Sequence, residues 1–196
     1  MTATIAGILT GFSLIIAIGA QNAFVMRQGI RREHVGRVVT ICAVSDLVLI
    51  VAGTLGMGAL INAHPVVLAV FKWAGAAYLL WFAFRSFRSA MNPQGLEAGE
   101  SSSSRSAVLT TLALTWLNPH VYLDTVIMLG NIANQYGADR WWFALGAAIA
   151  SLTWFPALGF GASALARPLA KPSVWRVVDL VIGLAMVAIA IRLITL

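Results

Sequence analysis

The sequence predicts an all-α integral membrane protein of six transmembrane helices, arranged as two inverted repeats of three helices. Three observations carry that expectation. Of 196 residues, 60% are hydrophobic and only 10% charged, with a mean hydropathy of +0.86, a balance that belongs in lipid. Apolar runs of the length a bilayer requires, about 20 residues, lie near 3–26, 38–61, 65–84, 107–130, 142–166 and 177–195. Basic residues gather in alternate connections: Arg27, Arg31, Arg32 and Arg37, then Arg85, Arg88 and Arg105, then Arg167, Lys171 and Arg176. By the positive-inside rule these loops are cytoplasmic, and both termini lie outside if all six segments span. The net charge of +6 therefore marks topology and not a nucleic-acid partner. The whole chain, 1–196, reads as a single membrane domain.

The first run carries no preceding Lys or Arg and exceeds a signal-peptide core, so it is expected to stay in the membrane. It contains "IGAQNAFV", where Gly19, Gln21 and Asn22 interrupt the apolar pattern. The second run holds Cys42, read as packing filler, and Asp46. Nine residues past Arg37, Asp46 lies about 13 Å along a helix, near the midplane. A carboxylate there costs at least about 2.5 kcal/mol and marks an ion, proton or substrate pathway, unless it serves as a structural partner of a basic or amide group.

The third run ends near 84. The connection 85–106 holds Asn92-Pro93, Gly95, Gly99 and "SSSS" (Ser101 to Ser104), the composition of a flexible cytoplasmic linker. It divides repeat one, about 3–84, from repeat two, about 107–195.

The fourth run contains "LTWLNPHVYLD". Pro119 has no amide hydrogen and crowds the carbonyl four residues back, so Thr115 loses its helical partner. Asn118, before the proline, is biased away from the α region. Freed backbone groups in a bilayer persist only where protein or a water-filled cavity satisfies them, so the break predicts a lined cavity, a packing kink being the alternative. Asp124 supplies a second carboxylate in the outer half. His120 and Asp124, four apart, share a face if an α-helix resumes after Pro119, as a proton relay or as an uncharged cavity histidine near an acid. Tyr122 reads as a packing or interface aromatic.

In the fifth run Pro156 predicts a kink. In the sixth, Asp179 beside Arg176 reads as an interfacial pair. The seven tryptophans read mostly as interface anchors.

An internal repeat links the halves. "AVSDLVLIVAGTLG" (Ala43 to Gly56) aligns with "AIASLTWFPALGFG" (Ala148 to Gly161), Ser45 matching Ser151 and Gly53 matching Gly159. With an odd number of spans in each half, the second enters from the opposite side, the organisation of many secondary transporters; chance similarity of apolar helices is the alternative. No GxxxxGK[ST] loop, HExxH motif, Cys/His cluster or G-x-S-x-G elbow is present, so ATP hydrolysis, metal chemistry and serine hydrolysis are set aside. No enzyme activity, metal or cofactor is expected.

The segments "GAQNAFVMRQGIRRE", "SDLVLIVAGTLG", "WAGAAYLLWFA", "LTWLNPHVYLD" and "SLTWFPALGFGASALARPL" together resemble the LysE family of basic amino-acid exporters, which includes arginine exporters. The match covers nearly the whole chain outside the linker. The resemblance implies export of L-lysine and L-arginine across a bacterial cytoplasmic membrane, driven by the proton or membrane-potential gradient, as a homodimer. It implies that Asp46 and Asp124 carry substrate or proton. Gln21, Asn22, Asn118 and His120 would line the site, and Gly19, Thr115 and Pro119 would mark the two helix breaks. One departure stands out: Ala20 occupies the position where the family usually has proline. The wider superfamily also exports neutral amino acids and cadmium, and an uncoupled channel or a membrane scaffold is the reading from another class.

Overall fold

The computed structural model describes residues 1–16, 19–56, 65–91, 103–118, 121–166 and 172–195, and these are all helical or in helix-joining turns. Helix α1 (Thr2–Ile15) gives way to α2 (Ala20–Arg31), whose N-cap Gly19 is extended, with φ −110° and ψ 172°. The two axes diverge by 79°. The run expected over 3–26 is thus two helices. Helix α3 is Val35–Thr54, shorter than the predicted 38–61, and 57–64 lie outside the described residues.

Helix α4 is Pro65–Met91 and carries Arg85 and Arg88 on helical turns. The linker expected over 85–106 is correspondingly shorter, and its residues 92–102 lie outside the described set. Long arginine side chains can end an apolar helix without ending the helix itself, which is why composition placed the boundary too early. Ser103, from the serine run, caps helix α5 (Ser104–Trp116) by accepting the Ser106 N–H at 3.2 Å.

The span expected over 107–130 is also divided. After α5 and Asn118, with Pro119 and His120 outside the described residues, the chain forms a π-helix, π1 (Tyr122–Leu129), then α6 (Gly130–Gln135) and a 3-10 turn (Gly137–Asp139). Helix α7 (Arg140–Ala164) runs through Pro156 as one helix, and α8 is Pro172–Thr195.

Val35–Thr54 and Gly137–Ala164 are long and apolar enough to cross a membrane, and the bent pair α1–α2 passes the same test taken together. Leu9, Val44, Val48, Leu55, Leu152, Phe160 and Leu184 are exposed on the surface. Such an apolar coat would aggregate in water and is what lipid demands.

The helices pack reciprocally. The broken α1–α2 pair lies on α7, the broken α5–π1–α6 run lies on α3, α3 packs on α7, and α4 pairs with α8. Close approach depends on glycine. In "GILTG" (Gly7 to Gly11), a Cβ at Gly7 would lie 2.0 Å from the Phe143 carbonyl oxygen; opposite, one at Gly146 would lie 2.1 Å from that of Thr4. Lipid gives helices no hydrophobic reason to associate, so small residues that admit backbone contact supply the packing. The second crossing repeats the device: a Cβ at Gly29 of α2 would meet the Gly159 oxygen of α7 at 2.4 Å, and one at Gly130 of α6 would meet the Gly53 oxygen of α3 at 2.5 Å.

The apolar core joins α2, α3, α4, α5, α7 and α8 through Phe24, Val38, Cys42, Leu79, Leu114, Phe155 and Met186. Phe24 and Phe82 meet edge to face, 6.1 Å between centroids. Cys42 is a buried member of this cluster, a free thiol used for packing.

Candidate functional site

The site is assembled around α3. Asp46 is buried, 5% exposed. Seven residues on, about two helical turns and so on the same face, Gly53 touches the backbone of Thr125 and Val126 in π1. Asp124 is the residue before that contact. One face of α3 therefore leads from Asp46 to the turn carrying Asp124, roughly 10 Å along the axis. Ser151 of α7 is fully buried, and its hydroxyl makes no hydrogen bond among the described residues.

Both chain breaks border this seam, and each is stitched the same way. Asn22, in the first turn of α2, donates from Nδ2 to the Ile15 carbonyl that ends α1, at 2.5 Å. Tyr122, opening π1, donates its hydroxyl to the Trp116 carbonyl that ends α5, at 2.9 Å. In each case a side chain beyond the break takes up a carbonyl that the broken helix has released, the requirement imposed by a dry surrounding. Each break is then tied to the neighbouring long helix by an indole. Trp154 of α7 donates to Asn22 Oδ1 at 3.3 Å, and Trp116 donates to Ser45 Oγ of α3 at 3.1 Å.

The predicted residues divide accordingly. Asp46, Asn22, Asn118 and Gln21 stand at the breaks or the seam, and Gln21 and Asn118 are buried. Among the described residues the Gln21 Nε2 is buried without a hydrogen-bond partner. Gly19 is the extended N-cap of α2. Thr115 lies in the last turn of α5 and turns its hydroxyl back to the Thr111 carbonyl at 2.9 Å. Pro119 and His120 lie outside the described residues. Asp124 is partly exposed. Its helix is π-wound, so the α-helical spacing invoked to align it with His120 does not describe this segment.

Three roles were missed. Trp116 and Trp154 were read among interface anchors, yet both turn inward; Trp73, Trp81, Trp141 and Trp142 are exposed in the anchoring manner. The repeated triplet Leu-Thr-Trp, at Leu114 to Trp116 and Leu152 to Trp154, was the available signal. Tyr122 is a break-closing donor and not a packing aromatic. The π winding itself had no sequence signal, though such irregular helices recur at functional sites.

The chain-wide match settles the family. A family described as LysE type translocator matches residues 12–196. The chain belongs to the LysE type translocator family. The lysine exporter LysE of Corynebacterium diphtheriae is 42% identical over 99% of this chain and 99% of its own length. That of Corynebacterium glutamicum is 42% identical over 96% and 97%. The arginine exporter protein ArgO of Pectobacterium carotovorum subsp. carotovorum is 44% identical over 95% and 94%. No solved structure matches the chain. As a LysE type translocator the protein is a membrane transporter and not an enzyme.

One further polar group in this translocator departs from expectation. Asp179 does not pair with Arg176 at an interface. It is 3% exposed, meets Arg27 of α2 at 3.5 Å and accepts from the Ser89 hydroxyl of α4 at 2.5 Å. Charges so buried persist only with such partners.

Proposed function

We propose that this protein exports L-lysine, L-arginine or both from the cytoplasm across the bacterial cytoplasmic membrane, as a secondary transporter driven by a proton or membrane-potential gradient. The observation that carries the reading is the pair of carboxylates along one seam: Asp46 buried on α3, Asp124 on the π-helix that the same face of α3 meets. A substrate with a cationic side chain and a zwitterionic α-carbon needs an anion for the first and neutral donors and acceptors for the second. Gln21, Asn22 and Asn118 stand at the breaks to supply the neutral groups. The names of the lysine- and arginine-exporting relatives support the same substrate class.

In this reading Asp46 and Asp124 alternate between holding the substrate cation and holding a proton. The chain spans six times, with the first and fourth spans broken and the basic loops cytoplasmic. The halves form an inverted repeat whose rocking exchanges access, and two copies form a dimer. Reciprocal packing of each broken span on the other half's long helix supports the repeat.

The test is flux in proteoliposomes with labelled lysine, arginine, threonine and cadmium, with and without a pH gradient. Gradient-dependent lysine or arginine flux that falls at least tenfold in Asp46→Asn, at normal membrane abundance, is the expected result. Undiminished flux in that variant sinks the mechanism, flux of threonine or cadmium alone reassigns the substrate, and gradient-independent conduction makes the protein a channel.

A further inference from the structure

Helix α4 continues past the last apolar turn, and its final turns have two unlike faces. Phe82, Ala83, Ser86 and Ala90 are buried, whereas Trp81, Phe84, Arg85 and Arg88 are exposed. The exposed positions recur at three- and four-residue intervals, so they form one stripe along the helix. Together with Ser89 they line an open cleft of about 590 Å3 along this face of the helix. The Arg85 guanidinium lies over the Trp81 ring, 5.1 Å from its centroid, an arrangement that holds the charge in place.

Among the described residues the charge of the cleft is one-sided. Neither Arg85 nor Arg88 has an ion pair among the described residues, and the carboxylate next to the cleft, Asp179, is already held by Arg27 and Ser89. Two planar guanidiniums one helical turn apart fit the oxygens of a phosphate. They would repel a cationic amino acid, so this is not a second substrate site. Trp81 is 48% and Phe84 63% exposed on the lipid-bearing surface, and a free inorganic anion would make no use of them. An anionic phospholipid would use both parts, its phosphate on the arginines and its glycerol and upper acyl segments against the aromatic rings.

We propose that the Trp81–Phe84–Arg85–Arg88 cleft binds the headgroup of an anionic phospholipid at the end of α4. Because α4 pairs with α8, and α8 carries Asp179, an occupied cleft would brace the helix pair that holds Arg27.

Native mass spectrometry of the detergent-purified full chain tests this, with phosphatidylglycerol, phosphatidylcholine or inorganic phosphate as probe. Phosphatidylglycerol should be retained at least fivefold over phosphatidylcholine. The double variant Arg85→Gln/Arg88→Gln should abolish that preference, while Arg105→Gln/Arg176→Gln, which removes the same charge elsewhere, should keep it. Trp81→Ala/Phe84→Ala, both at exposed positions, should lower retention at least threefold with all four arginines intact. Equal loss in the two arginine variants would reduce the effect to diffuse surface charge. Unchanged retention in the aromatic variant, or full competition by inorganic phosphate at equal concentration, would make this a small-anion site and overturn the lipid assignment.

Discussion

Gly130 rests its backbone on Gly53: a Cβ added at Gly130 would lie 2.5 Å from the Gly53 carbonyl oxygen. The contact holds the end of the π-helix against the helix carrying Asp46, and Asn134 reinforces it by donating to the Gly130 and Gly53 carbonyls at 2.8 and 3.4 Å. Gly130→Ala forces backbone apart, for which overpacking costs about 1–3 kcal/mol. Thermal unfolding of the purified protein should show a clear drop. Gly36→Ala, in the first turn of α3 with nothing within 4 Å of the added carbon, should instead leave stability within about 0.5 kcal/mol.

Ala20 is the first residue of α2 and follows an extended Gly19. That is the helix position where proline is best tolerated, because the first-turn N–H has no helical acceptor, and an extended residue is what proline requires before it. Ala20→Pro should therefore stabilise by about 0.4–1 kcal/mol. The same thermal assay reads it, and a fall would mean that the fully buried surroundings of Ala20 leave no room for the ring.

Arg27 and Asp179 form an ion pair with side chains 17% and 5% exposed. Arg27→Gln or Asp179→Asn leaves the other charge uncompensated and should cost about 3–5 kcal/mol each. The double variant should lose far less than the sum, measured as a coupling energy in a thermal double-mutant cycle. Additive losses would show that the pair contributes nothing as a pair.

Tyr122→Phe removes the donor that closes the second break and leaves the Trp116 carbonyl without it. Stranding a part-buried acceptor costs about 1 kcal/mol, below the penalty of a fully buried one. The variant should unfold at lower temperature and export more slowly in the proteoliposome assay, whereas Tyr136→Phe, whose ring stacks on Phe143, should export normally.

Features governed by local backbone rules were the legible ones. Extended Gly19 and the end of α5 before Asn118 follow from residue chemistry acting within a few positions. Asp46 stood out because an acid in an apolar run has few explanations. The partners of polar groups were not legible: Arg27 and Asp179 are far apart in sequence, and only the packing of α2 on α8 makes them neighbours. The π winding of Tyr122–Leu129 depends on which carbonyl each amide selects, which composition does not encode. The helical extension to Met91 escaped notice because arginines at a helix end look like a loop.

The glycine seam between α1 and α7 also sets an order of events in the cell. Gly7 leaves the ribosome roughly 135 residues before Phe143, which at about 5–20 residues per second is a delay of roughly 7–27 s. Through that interval the bare glycine face of α1 has no α7 to receive it. The newborn first helix must wait in lipid, or beside the insertion machinery, until the second half is made.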